Sequence, residues 1–137
     1  QGSHTVNAKL AVGKLKKDSR GKPIHHMYNS DAFWLTQWNL NTLWGLAYPS
    51  VLDDFAASLI QYDVNGGLLP RGPCAGGYSY IMTGCPATSL ITSAYQRGIT
   101  KKWSPRAGYE AIKWVNGKII SIFIKGRQVG RNLLINK

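Results

Sequence analysis

Apolar residues fall into four blocks at helical spacing, separated by stretches rich in glycine, proline and small polar residues. The first block runs from Met27 to Trp44 and predicts a helix that opens near Asn29, Ser30 and Asp31 and ends before Pro49. Asn29 or Ser30 can cap its first turn, and the helix macrodipole favours a carboxylate there. Phe33, Leu40, Trp44 and Ala47 lie on one side and Trp34, Leu35 and Trp38 on another, which predicts a helix buried on most sides.

The second block, from Ser50 to about Tyr62, keeps Leu52, Phe55, Ala56, Leu59 and Ile60 on one stripe and leaves Asp53 and Asp54 on the expected solvent face. Ser50 with Asp53 resembles a capping box. The short Tyr48-Pro49 link makes these two helices an αα-hairpin. A third helix is expected from Pro86 to Arg97, with Leu90, Ile91, Ala94 and Tyr95 inward and Gly98 as its stop. Ser104-Pro105 opens a fourth, whose inner face is Ala107, Ala111 and Ile112 with Tyr109, and whose Glu110 faces solvent. The resulting fold class is mainly α, two αα-hairpins joined by a long loop.

That loop, residues 63–84, is rich in glycine yet carries Leu68, Leu69, Tyr78, Tyr80 and Ile81. A loop of this length inside a helical domain is usually functional or disordered, and its aromatic content argues for function. Past Trp114 the helical pattern stops. Asn116-Gly117 is a hairpin signal and residues 118–125 are β-branched and apolar between lysines, so the basic tail has a β-forming segment.

With 137 residues the chain allows one domain, and no apolar run approaches the roughly 18 residues of a membrane span, so no membrane association is expected. It begins Gln1-Gly2-Ser3-His4 without an initiator Met or a signal peptide, which fits a processed or partial polypeptide. The net charge of +11 is uneven: residues 1–22 carry +5, residues 23–96 carry −3 and residues 97–137 carry +9. Nucleic-acid binders place basic groups among their aromatics, whereas here the aromatic centre is mildly acidic. Nucleic acid is therefore not the expected partner, although polyanion binding through the basic ends is kept as an alternative.

His25-His26 lacks a third ligand at metal spacing and reads as loop or packing residues. Cys74 and Cys85 lack zinc-ligand spacing; two buried thiols are the simpler expectation, and a disulfide across the loop requires an oxidising compartment.

The residues with chemistry to offer are Asp31, Trp34, Trp38, Arg71, Tyr78 and Tyr80. Sugar rings present apolar faces and rims of hydroxyls, which suit aromatic rings beside a carboxylate and a guanidinium. Asp31 reads equally as a helix cap. Arg71, the only basic residue between Lys22 and Arg97, has few structural roles in a glycine-rich loop and reads as a site residue. Tryptophans in a buried helix more often form core.

Three stretches then carry a resemblance: His26 through Asn41, with its Tyr28-Asn29-Ser30-Asp31-Ala32-Phe33-Trp34 core; Leu59 to Asp63 with Gly66 to Pro73; and Gly76 to Gly84. Together with Ala94 to Ile99 and Ala107 to Glu110, they closely resemble the catalytic domain of glycoside hydrolase family 92, calcium-dependent exo-acting α-mannosidases, over roughly residues 22–113. The resemblance implies part of an (α/α)6 barrel, which in whole enzymes follows an N-terminal β-sandwich. It also implies inverting removal of terminal α-linked mannose from glycans, in a periplasmic or secreted setting. Asp31 and Arg71 match substrate-binding positions for the terminal mannose, and Trp34 and Trp38 become barrel wall.

The same resemblance places the main calcium ligands, the catalytic acid and base and the remainder of the domain beyond this chain. No catalytic or metal-ligating residue is therefore expected here. The expected division is a basic connector over residues 1–22, a partial catalytic domain over 23–113 and an atypical basic tail over 114–137, where the resemblance ends. A noncatalytic carbohydrate-binding module is the other alternative.

Overall fold

A computed structural model describes residues 15–28, 33–66, 69–70, 73–74, 77–78 and 85–113. The expected β-forming tail, residues 114–137, lies outside the described residues. So do Asn29 to Ala32, where the first helix was expected to open.

Residues 15–28 open with a tight turn. Asp18 Oδ1 accepts the backbone N–H groups of Arg20 and Lys22, each at 2.9 Å. Gly21 sits at φ +77°, where a side chain is strained, and Lys17 pairs with Pro23 in an antiparallel bridge.

The expected first helix divides in two. A 3-10 turn at Phe33–Leu35 is followed by turns and then by α1, Leu40–Ala47. The backbone shows why. Thr36 N–H reaches Phe33 O at 3.1 Å and Trp38 N–H reaches Leu35 O at 3.2 Å, both three-residue steps, but Asn41 N–H returns five residues to Thr36 O at 2.9 Å. The segment therefore runs in turns until Leu43 N–H bonds Asn39 O at 2.9 Å. Nor is α1 buried: Asn41 is its only buried residue, and Trp38 and Leu46 are each 78% exposed. The expectation of a helix buried on most sides is therefore corrected.

One residue, Tyr48, separates α1 from α2, Pro49–Gly66. Proline suits a first helical position because its missing N–H would be unpaired there, and Tyr48 O accepts from Val51 and Leu52. The stripe of Leu52, Phe55, Ala56, Leu59 and Ile60 is buried as expected, but burial is continuous from Leu52 to Tyr62 and includes Asp53 and Asp54. Those two carboxylates are thus not on a solvent face. Ser50 and Asp53 lie within the helix rather than capping it, and Asp53 is engaged elsewhere.

Leu69 and Pro70 are buried, and two-residue strands β1, Pro73–Cys74, and β2, Gly77–Tyr78, pair antiparallel with Pro73 opposite Tyr78. Helix α3, Pro86–Gln96, ends as expected at Gly98, with φ +69° and Ile99 N–H returning to Ala94 O at 2.9 Å. Tyr95 is exposed rather than inward. The fourth helix, α4, spans residues 105–113, with Ala111 buried, Ala107 and Ile112 half-buried and Tyr109 and Glu110 exposed.

The core forms where α2 meets α1 and α3, around the fully buried Leu52, Leu59, Leu90 and Ile91. Arg97 fastens α3 to α1 by donating to Thr42 Oγ1 at 3.2 Å and to Ser93 O at 3.2 Å. Its side chain lies against Gly45, where a Cβ would collide with it. The described residues are thus mainly helical, built as helix pairs around one central helix.

Candidate functional site

Asp31 and Arg71, the two predicted substrate-binding residues, lie outside the described residues. The structure instead describes what holds the chain on either side of each. Tyr28, just before the Asp31 segment, stacks on Phe55 with ring centroids 5.6 Å apart and planes 12° apart. Phe33, just after it, meets the same ring at 5.9 Å and 41°, and Trp44 stacks on it at 5.4 Å and 24°. One phenyl ring on α2 therefore anchors both borders of the segment carrying Asp31, each such pair adding about 0.5–1.5 kcal/mol beyond area burial.

Hydrogen bonds on the next turn of α2 complete the clamp. Ser58 Oγ accepts Tyr28 N–H at 3.0 Å, and its own proton is shared between His26 O at 2.9 Å and Asp54 O at 2.7 Å. His26 N–H donates to Asp54 Oδ1 at 3.2 Å. Lys102 Nζ donates to the same oxygen at 2.6 Å, while Lys102 N–H approaches Asp53 Oδ1 at 3.4 Å. With side-chain exposures of 4% for Asp54 and 30% for Lys102, this is a largely buried ion pair whose carboxylate is satisfied by two donors. The pair joins the segment before Asp31, the central helix and the approach to α4. His25 packs as expected: it is buried, and a proton on Nδ1 lets it donate to His26 O at 3.0 Å.

The border of Arg71 is simpler. Buried Leu69 and Pro70 precede it, and the β1–β2 pairing begins two residues after it.

The aromatic residues weighed as sugar platforms, of which Trp34 and Trp38 were expected to form barrel wall, take different positions. Trp34 and Trp38 are both exposed, Trp38 strongly so. Tyr80 lies outside the described residues, and Tyr78 contributes backbone to β2. Thr36 and Asn41 are buried with Thr36 Oγ1 and Asn41 Oδ1 lacking a partner among the described residues.

The carboxylates do not compose a hydrolytic pair among the described residues. Asp18 serves a surface turn, Asp53 and Asp54 engage Lys102, and Glu110 is exposed on α4. Burial raises the pKa of Asp63, near the end of α2, above its ordinary value. No group of three or more His, Cys, Asp or Glu side chains suited to a metal ion occurs among the described residues. Nor is any helix there long and apolar enough to cross a membrane. Cys85 is half-buried just ahead of α3.

Sequence reasoning missed the clamp. Phe55, Asp54, Ser58 and Lys102 come from three different turns of chain, and only a serine within an otherwise apolar run of α2 hinted that this helix face meets backbone rather than solvent.

In comparisons with known proteins, residues 9–119 match the model of the glycosyl hydrolase family 92 catalytic domain. The match extends past the motif-bearing residues 22–113 at both ends. No curated protein and no solved structure matches the chain.

Proposed function

The chain belongs to glycosyl hydrolase family 92, a glycosidase family, and from that premise we propose that it supplies part of the mannose subsite of an inverting exo-α-mannosidase. Asp31 accepts hydrogen bonds from hydroxyls of the terminal α-linked mannose, and Arg71 donates to the same ring. The observation that carries this reading is the clamp: Tyr28 and Phe33, on either side of the Asp31 segment, both rest on Phe55. A carboxylate that grips a sugar needs a fixed approach of the backbone on both sides, since misplacement by about 1 Å costs orders of magnitude in rate.

The reading assigns binding to this chain and cleavage to the remainder of the domain. Inversion requires an acid and a base about 6.5–9.5 Å apart with room for a water. The described carboxylates are engaged in a turn or with Lys102, half-buried alone, or exposed, which supports placing that pair elsewhere. The main ligands of the calcium that the complete enzymes use belong, in this reading, to the remainder of the domain. The exposed apolar side of α1 supports an (α/α)6 arrangement in which another layer covers it. Periplasmic or secreted glycans are the natural substrates of this reading.

Incubation of the purified chain with an aryl α-mannoside tests it. The expected result is no release of the phenol above background, and measurable turnover abolished by Asp31→Ala would contradict the assignment of cleavage to other parts of the domain.

A further inference from the structure

Between α3 and α4 the structure holds an open cleft of about 480 Å³, separate from the Phe55 clamp. That volume lies within the range of small-molecule sites, roughly 300–1,000 Å³. Its floor is apolar. Ile91 is buried, and the Trp103 indole is 9% exposed and pressed against α4. A Cβ on Gly108 would come within 2.8 Å of Trp103 Cζ3 and 3.1 Å of Ile91 Cγ2, so glycine at this position permits the close approach.

The walls differ from the floor. Tyr95 from α3 and Tyr109 from α4 line the cleft yet are 59% and 62% exposed, so their rings cost little to cover and have faces to offer. Arg106 is the one charged side chain lining the cleft, and no carboxylate pairs with it among the described residues. Three aromatic residues, an apolar floor and a single unpaired guanidinium match a ligand that is flat, apolar over its body and anionic at one end. A guanidinium pairs with a carboxylate through two parallel hydrogen bonds, which fixes the orientation of such a ligand as well as its charge.

We propose that this cleft is a binding site for a planar aromatic carboxylate of one or two rings. The rings lie against Tyr95 and Tyr109 over Trp103, and the carboxylate meets Arg106. The site is independent of the mannose subsite, and its occupancy does not depend on whether Asp31 binds sugar.

Isothermal titration of the full chain with 2-naphthoate tests the proposal, with 2-naphthylmethanol as the uncharged counterpart. Saturable binding at one site is expected. Arg106→Gln weakens naphthoate roughly tenfold and leaves naphthylmethanol unchanged, in keeping with the loss of a charge-assisted hydrogen bond. Tyr109→Ala weakens both ligands. Arg20→Gln, which removes the same charge from the Asp18 turn, leaves both unchanged. Arg106 and Tyr109 are exposed, so far-UV circular dichroism should stay unaltered in both variants. The proposal is overturned if naphthoate gives no saturable heat, if Arg20→Gln and Arg106→Gln weaken it equally, or if affinity falls with rising protein concentration, which would assign the cleft to a second copy of the chain.

Discussion

Helices α1 and α2 are consecutive, joined by one residue, and each looks like the other's neighbour should. By apolar pattern α1 is the one that ought to be enclosed, and α2 the one with a free side. Their environments are the reverse. Helix α1 leaves Trp38, Leu43 and Leu46 beside it exposed, whereas α2 is buried without interruption from Leu52 to Tyr62, carboxylates included. The difference is a matter of neighbours. Helix α2 is packed by α1 and α3, and its polar side is covered by residues 26–28 and by Lys102, which supply the partners that its Asp54 and Ser58 need. Helix α1 packs on α2 and α3 and leaves its Leu43 and Leu46 exposed. Periodicity reports how many faces of a helix are apolar; it does not report which of them receives a neighbour.

The contrast is broken most directly at its hub. Replacing Phe55 by Ala removes the ring on which Tyr28, Phe33 and Trp44 all rest, and should lower stability by about 3–5 kcal/mol in urea unfolding. A loss below about 1 kcal/mol would mean that α2 is not the organising element.

Asp54→Ala comes next. It strips Lys102 and His26 N–H of their shared acceptor and should cost about 2–3 kcal/mol, with Lys102→Met costing more because it leaves the buried Asp54 carboxylate with one backbone donor and no counter-charge. Equal costs would indicate that the ion pair alone matters.

On the exposed helix the same size of change should do little to the fold. Leu46→Ser is expected to shift urea unfolding by no more than about 0.5 kcal/mol. A large loss of stability would show that α1 is enclosed after all.

The smallest effect belongs to Asp63, whose pKa is raised by burial at the far end of α2. In the window just above the ordinary carboxylate value of 3.8, the folded chain holds a proton that the unfolded chain has released, so this group's contribution falls as pH rises through that window. Asp63→Asn should remove that part of the pH dependence in thermal melts from pH 3 upward, and an unchanged profile would show that the burial does not penalise the charge.

What could be read from the chain beforehand follows the same physics. The inner stripes of α2 and α3 were legible because Leu52, Phe55, Leu59, Leu90 and Ile91 recur at helical spacing, and the stop at Gly98 because glycine takes a positive φ without strain. The start of α4 was legible because Ser104-Pro105 puts a capping residue before a proline at a first helical position. The break at residues 36–39 was not, since the helical spacing of Phe33, Leu40 and Trp44 continues across it. Burial of Asp53 and Asp54 was hidden because their cover comes from 26–28 and from 102, far along the chain. Asp31 and Arg71 were singled out by residue type and by family resemblance, and the contribution of the structure is the clamp beside Asp31, not the residues themselves.

Calorimetric titration with methyl α-mannoside of the wild type beside Asp31→Ala and Arg71→Ala asks whether this chain grips a terminal mannose. Saturable binding by the wild type is expected, weakened at least tenfold by each substitution, with unfolding midpoints unchanged. Heats indistinguishable among the three proteins would contradict it.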